Sequence, residues 1–354
     1  MTAGAIELPA SLAGIASGVE DRIRTLLDEE AARWALVSSE LRELVDALAA
    51  FVLGGGKRLR PAFCHWAFVG AGGDPDDTGI VDAGAALELL HTFALAHDDV
   101  MDGSALRRSR PTVHCHFAGL HRRRAWRGEP RRFGEGVAIL VGDLAFVYAD
   151  RCMAGATPAA WRIFDELRIE LNIGQYLDLV GTAQGRTADE ASARRIALYK
   201  SGRYTVERPL HLGAALAGRG DLAPGLSAFG DPLGEAFQLR DDVLGTFGDP
   251  ARTGKPVGED LREGKPTPLL ALGMARAGPD AAPLLGRIGA SDLDDDEVKA
   301  IQALLVEVGA LDESERRIEA LVAQAVTALG AVALTAEAGA ALAELARYVG
   351  RRDR

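Results

Sequence analysis

Cysteine is scarce in this chain: Cys64, Cys115 and Cys152 are its whole complement, an odd number with no CxxC spacing. A disulfide framework is not expected, and the three thiols suit a reducing cytoplasm, where they read as small buried hydrophobes. Aromatic residues are few, at 6%. The four tryptophans, Trp34, Trp66, Trp126 and Trp161, are scattered and read as packing or surface anchors rather than a platform for stacked bases. Positive charge is in deficit, with a formal net charge of −11. That balance argues against a nucleic-acid partner held by global electrostatics, so any anion site must be local. No stretch approaches the ~18 uncharged apolar residues of a transmembrane span. The N-terminal MTAGAIELPASLAG has no basic region followed by an apolar core, so neither an export signal nor an anchor is expected.

What is present is a globular balance over 354 residues, 48% hydrophobic and 26% charged, enough to bury a sizeable core. From about residue 18 onward, apolar residues recur at three- and four-residue spacing among Ala, Leu, Glu and Arg, and no convincing alternating strand interrupts them. Glycine and proline place loops at 54–61, 70–79, 128–136, 155–158, 218–225 and 248–268. A basic stretch, HRRRAWRGEPRR at 121–132, reads as a solvated loop. With no linker between two cores and no solenoid repeat, the expected architecture is one all-α domain over residues 18–354, preceded by a flexible segment, 1–17.

The densest chemistry is DDVMD, Asp98 to Asp102, ending a long apolar segment. At ~100° per residue, Asp98 and Asp102 share one helix face, with Asp99 beside them. Clustered carboxylates at a helix C-terminus repel one another and oppose the macrodipole, unless a hard cation such as Mg2+ neutralises them. A second acidic pair, Asp241 and Asp242, ends another apolar stretch. Either motif alone could be a solvated acidic helix end; the pairing argues for metal. Basic residues complete the pattern. GGGKRLRP places Lys57, Arg58 and Arg60 after three glycines, where backbone amides can approach phosphate, although the GxxxxGK[ST] pattern of a P-loop is absent. Arg107 and Arg108 supply forked donors just beyond the first motif, and Lys200, Lys255 and Lys265 add further cations.

In the order of its motifs the chain resembles the trans-isoprenyl diphosphate synthases, particularly the bacterial geranylgeranyl and farnesyl types, over about residues 20–350. The stretches that carry the likeness are GGGKRLRP, HTFALAHDDVMD, RRSRPTVH, the GD of VGDLAF, GQYLDL, YKSGRYTVERPLHLGAALAG, FQLRDDVLGTFGD and TGKPVGEDLREGKPT. The resemblance implies an antiparallel helical bundle around a deep central cavity, a homodimer, and head-to-tail condensation of an allylic diphosphate with isopentenyl diphosphate. It implies that Asp98, Asp102 and Asp241 hold three Mg2+ ions, with Asp99 and Asp242 as further candidate metal ligands. By the same resemblance Arg107, Lys200, Ser201, Gln238, Lys255 and Lys265 hold the allylic diphosphate, while Lys57, Arg60, His91 and Arg108 hold the isopentenyl one. Asp98, Asp102, Arg107, Lys200 and Asp241 carry the catalytic step. The chemistry agrees: breaking an allylic C–O bond calls for cations that stabilise departing pyrophosphate more than the bound ester.

One departure is Gly245, where many members carry a third Asp; it leaves open whether Asp242 and Asp249 touch metal. The wall or floor for the growing hydrocarbon is expected on the helix bearing Asp98, at Ala94, Leu90 and Leu87, with Phe93 reaching in from the flank. Ala94 leaves room for growth past C15 and the bulk below stops it, so the expected main product is geranylgeranyl diphosphate, C20, with farnesyl diphosphate, C15, or a longer polyprenyl chain as alternatives. A class I terpene cyclase shares the acidic helical chemistry but has no use for a second diphosphate pocket, and a non-catalytic subunit would lack an aspartate of the first motif. His114, Cys115, His116 and His121 match no standard closed zinc site.

Overall fold

The computed structural model describes residues 9–183, 190–249 and 257–352. The chain divides into two compact units, the first formed by Ala10–His65 and Asp74–Thr157, the second by Trp66–Gly73 and the residues from Pro158 onward, together with Pro9. Both are helical, as the periodicity predicts.

The first unit contains α1 (Ala10–Ala35), α2 (Ser39–Val52), the opening turns of α3 (Leu59–Gly70), α4 (Thr78–Met101), α5 (Val113–Arg123) and α6 (Pro130–Cys152). Helix α1 starts well before residue 18, and Leu12 is 1% exposed, so the flexible segment expected over 1–17 is corrected at its C-terminal half. Leu12, Val19, Ile23, Leu26 and Leu27 form one buried stripe; Gly14 and Gly18 diluted that signal. Asp77 caps α4 by accepting from the Gly79 amide at 2.8 Å. Helix α4 is long and apolar enough to cross a membrane, but 61% of its most apolar stretch is buried. Its charges are paired inside the unit, Asp82 with Arg22 at 2.5 Å and Glu88 with Arg58 at 2.5 Å. It is the core helix of a globular unit.

Of two expected loops, 128–136 is largely helix and 121–132 is helix at both ends. Residues 121–123 end α5, and α6 opens at Pro130, capped by Glu129, whose carboxylate accepts from the Arg131 amide at 3.1 Å and the Arg132 amide at 3.0 Å. Gly134, which reads as a loop residue, sits inside α6 because α5 crosses it closely: a Cβ there would collide with the His114 carbonyl. Between α4 and α5 the chain forms a small hairpin, β1 (Leu106–Arg107) and β2 (Arg110–Pro111), the antiparallel pairing that sequence alternation missed. Arg108 and Ser109 turn it with φ of 53° and 59°, the left-handed pair of a two-residue hairpin.

The second unit contains α7 (Pro158–Ala183), α8 (Glu190–Ala197), a π-helical segment Leu198–Glu207, α9 (Arg208–Leu216) and α10 (Ala223–Phe247). It continues through Pro268–Arg276, Asp295–Glu307, Ala310–Leu329 and Ala336–Arg351. The π segment packs backbone to backbone on its neighbours. Gly174 of α7 leaves no room for a Cβ against Lys200, and a Cβ on Gly234 of α10 would lie 2.8 Å from the Gly202 carbonyl carbon. A π-helical run held this tightly fixes the direction of its side chains. The expected loop at 248–268 contains a short helix, Glu259–Glu263, between the left-handed Gly258 and Gly264.

Candidate active site

In the first unit, Asp98 lies in the last turn of α4 and Asp102 closes it, donating its amide to the Asp98 carbonyl at 2.8 Å. Both side chains are half-buried, whereas Asp99 is 1% exposed. The hairpin brings Arg107 onto this end of α4. Its Nε and Nη2 both lie 2.7 Å from Asp99 Oδ1, and Nη2 lies 3.5 Å from Asp98 Oδ2. Arg107 thus offsets carboxylates that the helix dipole disfavours.

Arg108 turns the other way and donates to the Gly55 carbonyl. Gly56, at φ 142°, leaves room for the guanidinium groups of Arg108 and Arg58, each 3.2 Å from where its Cβ would stand. Burial pushes the Arg108 pKa down to about 10, helped by the charges of Arg58, Arg107 and Arg60. His91 is depressed well below its ordinary value by burial and by Arg60, Arg108, Arg107 and Arg58, so it is neutral at pH 7. Lys57 and Arg60 are half-buried, Lys57 just before α3 and Arg60 in its first turn. Arg58 belongs to the structure instead. Only 3% exposed, it donates to Glu20 at 3.0 Å, Glu88 at 2.5 Å and the Val52 carbonyl at 2.7 Å. A cavity of about 230 Å³ lined by Phe51, Gly54, Arg107, Arg108, Arg110 and His116 brings the three hairpin arginines together but is not lined by Lys57, Arg60 or His91.

Leu87 and Leu90 are wholly buried, while Phe93 and Ala94 keep partial exposure. The Phe93 ring meets Phe146 of α6 at 5.0 Å and His97 at 4.6 Å between centroids, both edge to face. His114 and His121 are engaged separately, with Thr112 Oγ1 at 3.1 Å and the Arg127 carbonyl at 3.1 Å.

In the second unit, the π segment carries Lys200 and Ser201. Lys200 Nζ lies 2.6 Å from Asp178 Oδ2 on α7. Asp178 was visible only as part of GQYLDL; nothing in its spacing marked it as the partner of Lys200. Asp241 and Asp242 lie within α10 rather than at its end, since the helix continues to Phe247. Asp241 accepts from Arg352 Nη2 at 2.6 Å, and Arg352 stacks over the Phe237 ring at 3.9 Å. Arg352 stands in no motif, and sequence gave no signal for it. Gln238 donates to Asp242 Oδ1 at 2.7 Å. Asp242 is 1% exposed, and burial, with Asp260 and Asp241 nearby, raises its pKa well above the carboxylate range.

Gly245 acquires a reason. A Cβ there would collide with the Asp260 carboxylate, so the position of the missing third aspartate is bordered by an acid from the following segment. Lys265 pairs with Glu263 at 2.6 Å and donates its amide to the Asp260 carbonyl at 3.0 Å. Asp249 is exposed just past α10, and Lys255 lies outside the described residues. A cavity of about 470 Å³ includes Tyr199, Glu235 and Gln238 in its lining, but not Lys200.

Among the described residues, no three His, Cys, Asp or Glu side chains converge into a self-sufficient ion cage. The carboxylates of Asp98 and Asp102, one turn apart at the end of α4, are a donor set that fits Mg2+, which takes one or two carboxylates and fills its remaining positions with water and substrate phosphate oxygens.

The polyprenyl synthetase family profile matches residues 41–305. The chain is 32% identical over 320 residues to the geranylfarnesyl diphosphate synthase of Aeropyrum pernix, covering 87% of this chain and 94% of the relative. It is 32% identical over 308 residues to a farnesyl diphosphate synthase of Mycobacterium tuberculosis, covering 83% and 79%. The crystal structure of geranylgeranyl pyrophosphate synthase from Corynebacterium glutamicum, complexed with isoprenyl diphosphate and magnesium, matches with a TM-score of 0.91 at 36% identity, covering 96% of this chain and 99% of that one. With its motifs, all-α fold and relatives in agreement, the chain belongs to the polyprenyl synthetase family of prenyltransferases, which join an allylic diphosphate to isopentenyl diphosphate head to tail.

Proposed function

We propose that this chain condenses an allylic diphosphate with isopentenyl diphosphate in a Mg2+-dependent reaction whose main product is geranylgeranyl diphosphate. The observation that carries the reading is the end of α4, where Asp98 and Asp102 stand beside Arg107, and where Arg107, Arg108 and Arg110 line one cavity. Packing cations together is costly unless a polyanion joins them, and a diphosphate with its forked acceptors matches arginine geometry. Asp98 and Asp102 in the first unit, and Asp241 in the second, are the carboxylates we assign to Mg2+, three ions in all. When bound, the metal neutralises the diphosphate and makes it a better leaving group.

Lys57, Arg60, His91 and Arg108 orient isopentenyl diphosphate, with neutral His91 contributing a hydrogen bond rather than charge. Arg107, Lys200, Ser201, Gln238, Lys255 and Lys265 hold the allylic diphosphate. Arg107 and Lys200 rest on Asp99 and Asp178, so substrate phosphate exchanges one anionic partner for another without stranding either cation. The allylic C–O bond breaks and pyrophosphate departs. The double bond of isopentenyl diphosphate forms the new C–C bond, and the proton lost from the adjacent carbon passes to pyrophosphate. No protein nucleophile is needed.

Relatives at the same identity are named for different products, so product length is argued from this chain's own residues. Ala94 is small and partly exposed one turn before Asp98, leaving room for growth. Phe93, held by Phe146, and the closed layer of Leu90 and Leu87 supply the limit. A homodimer is part of the proposal. On α7, Ile169, Ile173 and Tyr176 form an exposed i, i+4, i+7 stripe at 53%, 49% and 66%; on α6, Ile139, Leu140 and Val147 are 44%, 55% and 52% exposed. Apolar helix faces of this kind are commonly covered by a second copy. Incubating purified protein with labelled isopentenyl diphosphate and each allylic starter, with Mg2+ or with chelator, tests the activity. Dephosphorylated C20 product that vanishes with chelator is expected; failure to condense with any starter would overturn the reading.

A further inference from the structure

The first unit carries an edge that the prenyl transfer reaction does not use. It consists of the α1–α2 turn and the α5–α6 loop. At the turn, Leu36 is 89% and Val37 67% exposed. Across from it, Trp126 is 41% exposed in the loop among Arg122, Arg123, Arg124 and Arg127. Arg124 joins the two, binding the Glu43 carboxylate of α2 at 3.0 and 3.2 Å through separate nitrogens. Glu43 is one turn into α2, so Val37 lies within about 13 Å of it along the chain.

The loop is built rather than loose. Trp126 packs edge to face on Phe133 at 5.2 Å, His121 packs on Phe133 at 5.2 Å, and buried His121 bonds the Arg127 carbonyl. Three of the four nearby glutamates are already engaged by partners. Glu43 is held by Arg124, Glu135 by Arg131 at 2.6 Å, and Glu129 by the α6 amides it caps. Arg122, Arg123, Arg127 and Arg132 are exposed, and no carboxylate partner is recorded for them among the described residues. Residues 33–43 and 121–135 together hold eight arginines against four glutamates, in a chain whose formal net charge is −11.

We infer that this edge docks the protein on the surface of an anionic phospholipid bilayer. Arginines attract the headgroups, an amphipathic tryptophan sits at the interface, and two aliphatic side chains reach the acyl boundary. A nucleic acid has no use for Leu36 and Val37, and a solvated loop gains nothing by exposing them. The strongly negative remainder of the chain keeps attraction confined to this edge and so gives the docked protein one orientation.

The test uses the full-length protein with vesicles of phosphatidylcholine alone or mixed with phosphatidylglycerol, read by co-sedimentation. Partition onto the phosphatidylglycerol vesicles is expected, weakened by salt. Each arginine near an anionic surface is worth roughly fivefold in partition, so Arg122→Gln with Arg123→Gln should weaken it about twenty-fivefold. Leu36→Ser with Val37→Ser should weaken the salt-resistant part, and both pairs should leave solution prenyl transfer unchanged. Equal binding to neutral and anionic vesicles, undiminished binding by both variants, or binding to DNA or polyglutamate but not to vesicles would each overturn the inference.

Discussion

Replacing Arg58 by Met should unfold this protein at markedly lower temperature without removing a substrate contact. Arg58 stands inside the basic GGGKRLRP cluster, yet its side chain is 2% exposed and serves Glu88, 3% exposed, along with Glu20 and the Val52 carbonyl. Truncating the guanidinium leaves a buried carboxylate and a buried carbonyl uncompensated. Breaking a buried pair from one side costs about 3–5 kcal/mol. For about 350 residues melting together, an unfolding entropy of about 2.1 cal/mol/K per residue turns 4 kcal/mol into a fall of about 5 °C. If the first unit, about 140 residues, melts alone, the fall is about 14 °C. Scanning calorimetry therefore measures the role of Arg58 and also whether the expected single domain is cooperative. Adding Glu88→Leu should recover part of the loss, since an apolar pair of similar volume has no stranded charge. A loss below about 1 kcal/mol in Arg58→Met would show that Arg58 is not the counter-charge of Glu88.

Asp98→Ala or Asp241→Ala should abolish condensation with an unchanged circular dichroism spectrum, because each side chain is partly exposed and fills little core volume; near-normal turnover at saturating Mg2+ would remove that residue from the metal set. Lys57→Ala or Arg60→Ala should raise KM for isopentenyl diphosphate roughly ten- to a hundredfold, with a much smaller change for the allylic substrate, as the loss of one charge-assisted contact implies. Equal effects on both KM values would mean the cluster serves the other diphosphate. Gly245→Asp should lower both stability and activity rather than restore a fuller acidic motif, because its side chain must displace Asp260; a gain in activity would count against that packing. Ala94→Phe should shift the dephosphorylated products toward C15 on chromatography, and unchanged lengths would place the floor on another helix.

The features most legible in sequence were those with a local cause. Helix α4 and its terminal acids follow from an apolar run that stops at Asp98, and the residue spacing fixes Asp98 and Asp102 on one face. The hairpin was missed because its turn is Arg108–Ser109, residues with no special preference for the left-handed region that their φ values occupy. Gly134 misled in the opposite sense: glycine reads as a break, but here it serves the crossing of α5, a tertiary requirement that leaves no local trace.

The same distinction explains the uneven visibility of the site. Lys200 can be assigned a ligand class from charge and motif, but its resting partner Asp178 is found only because Gly174 lets the π segment lie against α7. Gly245 looks like a lost carboxylate in one dimension; in three, Asp260 borders the position, and a side chain there would expel it. Arg58 is indistinguishable in sequence from Lys57 and Arg60. A left-handed φ of 53° accompanies a side-chain direction into the core, toward Glu88, while Lys57 and Arg60 stay half-buried outside it. Charge type therefore names the chemistry a cluster can do, and backbone direction decides which of its members does it.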